Sequence, residues 1–353
     1  MAADNNDNLT AKAIAGRTAE HFVQLDGLRG FAIILVVFCH CQILIHGGGI
    51  ANAFFFALAG FLIINPFKER SEERFLSLWG ILRFYGSRAV RILPGYYLVV
   101  LLVYFQSGDY WLSREQFIGL LYFNELWGHL WFVFSYFWVT VFIPYIMLLL
   151  LLLAKKIKAL NNDLVCSVIF FVLGGIIRIL CLREDATDFR LSQLMVGIGA
   201  GYLCRYIRNN ERFKTSIIKL KTAGDVLILF IVLIMFIFSS EKGLNLIHPG
   251  FGDTSLGWDY MYISAFMMGL LIILTCLFKE GIAAKIFRIK PLVFVGKLSY
   301  PIYLLNYLIA LQVRPKSEFF WFICVFSASL VLAYLMDSAF NAVIRLCKKK
   351  VKA

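Results

Sequence analysis

The chain has 353 residues, 60% hydrophobic and 16% charged, with a mean hydropathy of +0.77; a soluble globule is apolar over nearer half its residues. Its formal net charge of +13 would suit nucleic acid, but the basic residues are scattered between apolar runs and build no RNA- or DNA-binding motif. Soluble-globule and nucleic-acid-binding classes are thereby excluded, and an all-α, polytopic transmembrane helix bundle in a lipid bilayer is expected.

Residues 1–24 are polar and hold no apolar stretch ahead of a small-residue cleavage site, so they read as a short cytoplasmic tail and not as a removed signal peptide. Apolar runs of about 17 to 25 residues are read as spans, and about ten follow. They cover 28–45, 50–66, 90–106, 129–153, 164–181, 189–207, 223–239, 260–278, 292–312 and 319–346. Gly47, Gly48 and Gly49 read as a tight turn between the first two, and 75–85 as a cytoplasmic amphipathic segment. Most of the 35 lysines and arginines fall in alternate loops and in the basic tail at 347–353, which places both termini in the cytoplasm. The loops on the other side are mildly acidic. Eight cysteines, with no CxxC pair, read as small packing hydrophobes. Cys39 points about 100° away from His40 and is not taken as a nucleophile.

The first span carries the most informative pattern, LDGLRGFAIILVVFCH at 25–40. Arg29 and His40 are eleven residues apart, or 1100°, about 20° from three full turns, so both project from one helix face roughly 16 Å apart. Such residues in lipid are costly unless they face a cavity, which makes them site candidates. Asp26, three residues before Arg29, either pairs with it or caps the helix. In the third span Arg88 and Arg91 are also neighbours on one face. With Arg29 and Arg83 they are candidates for an anion site at the inner mouth, because a guanidinium donates bidentate hydrogen bonds to phosphate. Positive-inside placement alone would also put arginines there.

LDGLRGFAIILVVFCH resembles the first-span signature of the acyltransferase 3 family of bacterial membrane acyltransferases. FFFALAGFLI at 54–63 is similar to that family's second-span FF-x-x-SGFLI, with Ala59 in place of the usual serine. RAVRILPGYYL at 88–98, HLWFV at 129–133 and VGKLSYPIYLLN at 295–306 resemble its third-, fourth- and late-span motifs, in family order. Two features depart from the pattern. Asn306 stands where the late motif often has histidine, and no glutamate follows the fourth-span tryptophan, Trp131. Both leave His40 as the one deep imidazole expected near the motifs.

The resemblance implies a transmembrane acyltransferase domain over 25–346 that moves an acyl group, usually acetyl, from cytoplasmic acyl-CoA to a hydroxyl of a cell-envelope or secreted glycan or glycolipid. The arginines would hold the phosphates of coenzyme A while the pantetheine arm carries the thioester up to His40. There the imidazole would act as general base or accept the acyl group itself; the sequence leaves both open. Asn306, about 20 Å from the inner surface, would orient that imidazole or donate to an oxyanion, or else make a helix-to-helix hydrogen bond. Trp131 and Tyr300 belong to the motifs and are substrate-binding candidates. His129 could touch an acceptor sugar, although the Trp127 and Trp131 belt favours an interfacial position. Arg178 reads as acceptor binding or as a side chain snorkelling outward. Acyl-CoA, acetyl-CoA first, is expected as co-substrate, with no permanently bound cofactor and no metal. Homodimerisation is left open, and the location expected is the bacterial cytoplasmic membrane. A transporter or flippase for a glycan intermediate is the alternative.

Overall fold

The structure is a computed structural model that describes residues 22–68, 70–107, 112–181, 190–247, 249, 261–313 and 317–350. Most of the N-terminal tail, many outer-loop charges, His248 and the last three residues lie outside these. Every regular element among the described residues is helical. In chain order the α-helices are α1 Val23–His40, α2 Gly47–Ile64, α3 Leu78–Ser107, α4 Arg114–Leu121, α5 Trp131–Lys156, α6 Asp163–Cys181, α7 Leu191–Asn209, α8 Glu211–Lys219 and α9 Lys221–Phe238. They continue as α10 Glu241–Ile247, α11 Met261–Leu277, α12 Ile282–Ile286, α13 Lys290–Lys297, α14 Ser299–Gln312 and α15 Glu318–Lys350.

Seven described helices, α1, α2, α3, α5, α6, α9 and α15, are long and apolar enough to cross a membrane, and the bent pair α13 and α14 would be an eighth. The two other segments expected as spans are present as α7, made more polar by Gln193, Arg205 and Arg208, and as α11, 17 residues long. α2 is 78% buried over its apolar stretch, whereas α15 is 17% buried. Exposed apolar side chains such as Phe105, Leu149, Ile179, Phe230 and Phe319 give the outer helices an apolar outer surface of the kind a bilayer would cover.

Close helix contacts depend on missing side chains. A Cβ on Gly27 would stand 1.7 Å from the Phe287 carbonyl oxygen, one on Gly30 2.1 Å from that of Leu292, and one on Gly296 1.7 Å from that of Asp26. The glycines of LDGLRG therefore seat α1 against α13, as small residues do between membrane helices. Gly60 and Gly197 do the same for α2 and α7, each facing a carbonyl oxygen of the other helix.

Several boundaries differ from expectation. α1 starts at Val23 and stops at His40, where Gln42 takes a positive φ of 61° and Cys39 Sγ donates to the Ile45 carbonyl. The chain turns at 41–46, and Gly47, Gly48 and Gly49 form the first turn of α2, packed against Leu35 and Cys39. The segment expected to be amphipathic is split between a 3-10 turn, Ser71–Leu76, and the first turns of α3, so Arg83, Arg88 and Arg91 share one continuous helix. Arg205, near the end of the 189–207 run, is buried in α7, where its guanidinium pairs with Glu72 at 2.7 and 2.8 Å and with Asp163 at 2.7 and 2.9 Å. That ion cluster ties the 3-10 turn to α6 and α7.

α13 and α14 meet at a 76° bend. Pro301, third in α14, has no N–H to return to the Lys297 carbonyl, so the helix cannot run straight through. The first turns of α14 line a cavity through Ser299, Tyr300 and Tyr303.

Candidate active site

A cavity of about 320 Å³ lies between α1, α2, α3, α5 and α14. Its lining combines Arg29, Arg88 and Arg91 with the aromatic side chains Phe132, Tyr136, Tyr300 and Tyr303. The 3.6-residue period explains the arginine set. Arg88 and Arg91 share a face of α3, while Arg83, about 140° round from Arg88, is exposed and absent from the lining.

Asp26 pairs with Arg29 at 2.7 Å, fixing one guanidinium nitrogen. It does not cap α1, whose N-cap position is Phe22. Arg88 lies over the Phe84 ring at 3.6 Å, and among the described residues neither Arg88 nor Arg91 has an acidic partner. Next to them, in the 3-10 turn, burial and the nearby Arg88 push the Arg74 guanidinium down to about 10, against a smaller upward pull from Glu72. Cations crowded this way make a cavity lining that favours an anion.

The α14 side of the cavity is aromatic. Tyr300 hydroxyl donates to the Ile92 carbonyl at 2.7 Å, joining α14 to α3, and Tyr303 hydroxyl donates to the His129 carbonyl. One turn further along α14 is Asn306, fully buried. Its amide nitrogen donates to the Ile302 and Tyr303 carbonyls at 2.8 and 2.9 Å, which leaves Oδ1 facing His40 Nδ1. An amide oxygen only accepts, so His40 carries its proton on Nδ1 and keeps a basic lone pair on Nε2. The tautomer of the half-buried His40 is thus set by α14.

His129 lies beside His40. It is only 4% exposed, and its ring centroid is 6.3 Å from that of His40. The chain before α5 dips inward: Phe123 stacks on Tyr96 at 4.8 Å and on Phe137 at 4.1 Å. Gly128, at φ +46°, brings the backbone against Tyr307. His40 is therefore not the one deep imidazole. His129 Nε2 donates to the Leu304 carbonyl at 2.9 Å, while its buried Nδ1 has no partner. The Tyr307 ring is 5.0 Å from both imidazoles.

Tyr300 lines the cavity as a sequence candidate; His40, Asn306 and His129 lie outside its lining, beyond Tyr303, and Trp131 and Arg178 are not part of it either. Trp131 is half-buried beneath the Arg190 guanidinium at 5.0 Å, and Arg178 sits in the last turn of α6. Sequence reasoning missed Phe132, Tyr136, Tyr303 and Tyr307. The four-residue spacing of Tyr303 and Tyr307 on either side of Asn306 was the available signal.

A family model described as an acyltransferase domain, that of the acyltransferase 3 family, matches residues 22–337. Relatives from Staphylococcus aureus strains COL, MSSA476 and MRSA252, each named a "putative O-acetyltransferase", are 25% identical over 317 residues. The match covers 80% of this chain and 50% of each relative, so the chain spans about half their length. No solved structure matches.

Proposed function

The chain belongs to the acyltransferase 3 family, and on that premise we propose that it moves an acyl group, acetyl in the first instance, from cytoplasmic acyl-CoA to a hydroxyl of a cell-envelope or secreted glycan or glycolipid. It does so in the bacterial cytoplasmic membrane, as a bundle of about ten spans with both termini inside. The observation that carries this reading is the shared face of α1, with Arg29 in the cationic lining of the cavity and His40 eleven residues on. The rise between them is roughly 16 Å.

The arginines hold the phosphates of coenzyme A. Arg29, kept in place by Asp26, and Arg88 and Arg91, without an acidic partner among the described residues, supply planar forks for that purpose. The pantetheine arm is a thin chain of nearly the Arg29 to His40 length, and it follows the cavity past Tyr300 and Tyr303. Its thioester carbon then reaches the His40 Nε2 lone pair, which Asn306 keeps free of a proton. Two routes are open to that lone pair: it removes the proton of the attacking hydroxyl, or it takes the acyl group itself. Arg83 and Arg178, outside the lining, have no part in this.

The test uses membrane vesicles with radiolabelled acetyl-CoA, counting label in the glycan fraction. His40→Ala should lower labelling by about 10²- to 10⁴-fold, the usual worth of a positioned base or nucleophile. A folded His40→Ala protein that labels glycan at the wild-type rate would overturn the reading.

A further inference from the structure

The site holds a second basic nitrogen. α14 presents two oxygen acceptors, the Leu304 carbonyl and the Asn306 amide oxygen, and each takes one imidazole N–H. The two rings are bound through opposite nitrogens: His40 through Nδ1, His129 through Nε2. Each therefore keeps a lone pair on its other nitrogen, Nε2 in His40 and Nδ1 in His129. A buried polar atom without a partner needs an explanation, and His129 Nδ1 is one. A purely structural histidine would gain nothing from it.

We propose that His129 is a second catalytic residue, the general base of a two-step transfer in which His40 carries the acyl group. This rests on the acyl-CoA reading above. In the first step His40 Nε2 attacks the thioester carbon and the C–S bond breaks. Coenzyme A leaves as its thiolate, and the acylated imidazolium keeps its Nδ1–H on Asn306. In the second step the acceptor hydroxyl oxygen attacks the acyl carbon while its proton passes to His129 Nδ1. The C–N bond then breaks and its electron pair returns to His40 Nε2. The proton on His129 goes to the thiolate, so one ester and one thiol leave for each hydroxyl and thioester that enter.

The two rings are neighbours. Their centroids are 6.3 Å apart, and the Tyr307 ring is 5.0 Å from each. An acceptor hydroxyl has to come within about 3 Å of both the base and the carbon it attacks, and rings this close allow that. A single base that also carried the acyl group would have no free lone pair in the second step, and His129 supplies it.

The division of labour is tested by separating the half-reactions. Purified protein is given acetyl-CoA and labelled coenzyme A with no acceptor, and exchange of label into acetyl-CoA reports the first step. Label from acetyl-CoA in the glycan fraction of membrane vesicles reports both. The variant is His129→Gln, whose amide N–H can still donate to the Leu304 carbonyl but which carries no base; thermal unfolding checks its fold. Wild-type protein should exchange, and His40→Ala should not. His129→Gln should keep exchange within a few-fold while glycan labelling falls by about 10²- to 10³-fold. Glycan labelling at the wild-type rate in His129→Gln overturns the proposal, as does equal loss of both readouts. Wild-type protein that labels glycan but never exchanges overturns the covalent step and leaves the acyl-CoA reading standing. Wild-type protein that does neither overturns both.

Discussion

Replacing Asn306 with alanine isolates what α14 does for His40. The side chain is fully buried and makes three hydrogen bonds: two donated to the Ile302 and Tyr303 carbonyls and one accepted from His40 Nδ1–H. Truncation leaves a buried imidazole N–H without an acceptor, which costs about 1–3 kcal/mol. The ring can recover part of that by moving its proton to Nε2, but the lone pair then sits on the wrong nitrogen. Either way the reactive form is disfavoured by the same free energy. At 1.36 kcal/mol per tenfold in rate, kcat should fall by about 5- to 150-fold. Arg29, Arg88 and Arg91 are untouched, so KM for acetyl-CoA should move by less than about twofold. The assay is steady-state acetyl transfer over a range of acetyl-CoA concentrations, with thermal unfolding alongside, because the lost bonds and the small void also lower stability. An Asn306→Ala protein that raised KM and left kcat alone would refute the reasoning, placing Asn306 in donor binding and not in orienting His40.

Arg88→Gln combined with Arg91→Gln should raise KM for acetyl-CoA by at least about 100-fold with kcat largely kept, since charge-assisted hydrogen bonds contribute about 1.5–3 kcal/mol each; initial-rate kinetics check this. The Arg83→Gln change should leave KM unaltered, because that side chain is exposed outside the cavity. Gly296→Ala should lower the thermal midpoint in detergent by an amount corresponding to at least about 1–3 kcal/mol, since its Cβ would overlap the Asp26 carbonyl oxygen. Gly86→Ala, with nothing within 4 Å of its Cβ, is the neutral comparison.

The Arg29 and His40 pairing was legible because both residues lie on one helix, where the 3.6-residue period fixes their relation. Asn306 was legible by depth, since a known rise per residue places it near His40 across the bundle. His129 was not. Its depth depends on the inward dip of 123–130, which is set by Phe123 stacking on two other helices and by the left-handed Gly128. No local pattern encodes that path. The Arg205 cluster was hidden for a similar reason: Glu72 is 133 residues away, and no local pattern pairs the two. Arg83 could have been separated from Arg88 and Arg91 by period alone, but positive-inside placement groups all three without regard to face.

The role of α14 accounts for the departure at position 306. The bend at Pro301 brings the start of α14 to the cavity, where Ser299, Tyr300 and Tyr303 form its wall. One turn on, the same helix must serve His40 while its own backbone bends the chain past His129. An asparagine offers two donors and one acceptor in a single group, and all three are used here. A neutral histidine has only two ring nitrogens, one donor and one acceptor, so it could not satisfy both carbonyls and also receive the His40 N–H. Asn306 is thus better suited than an imidazole to a site in which His129 already brings the second ring. The Asn306→His exchange should accordingly lower kcat and not restore a lost function, because the larger ring has to fit a fully buried position beside His40, an overpacking that costs about 1–3 kcal/mol. A gain of activity in Asn306→His would place the second working imidazole on α14 and remove the need for His129.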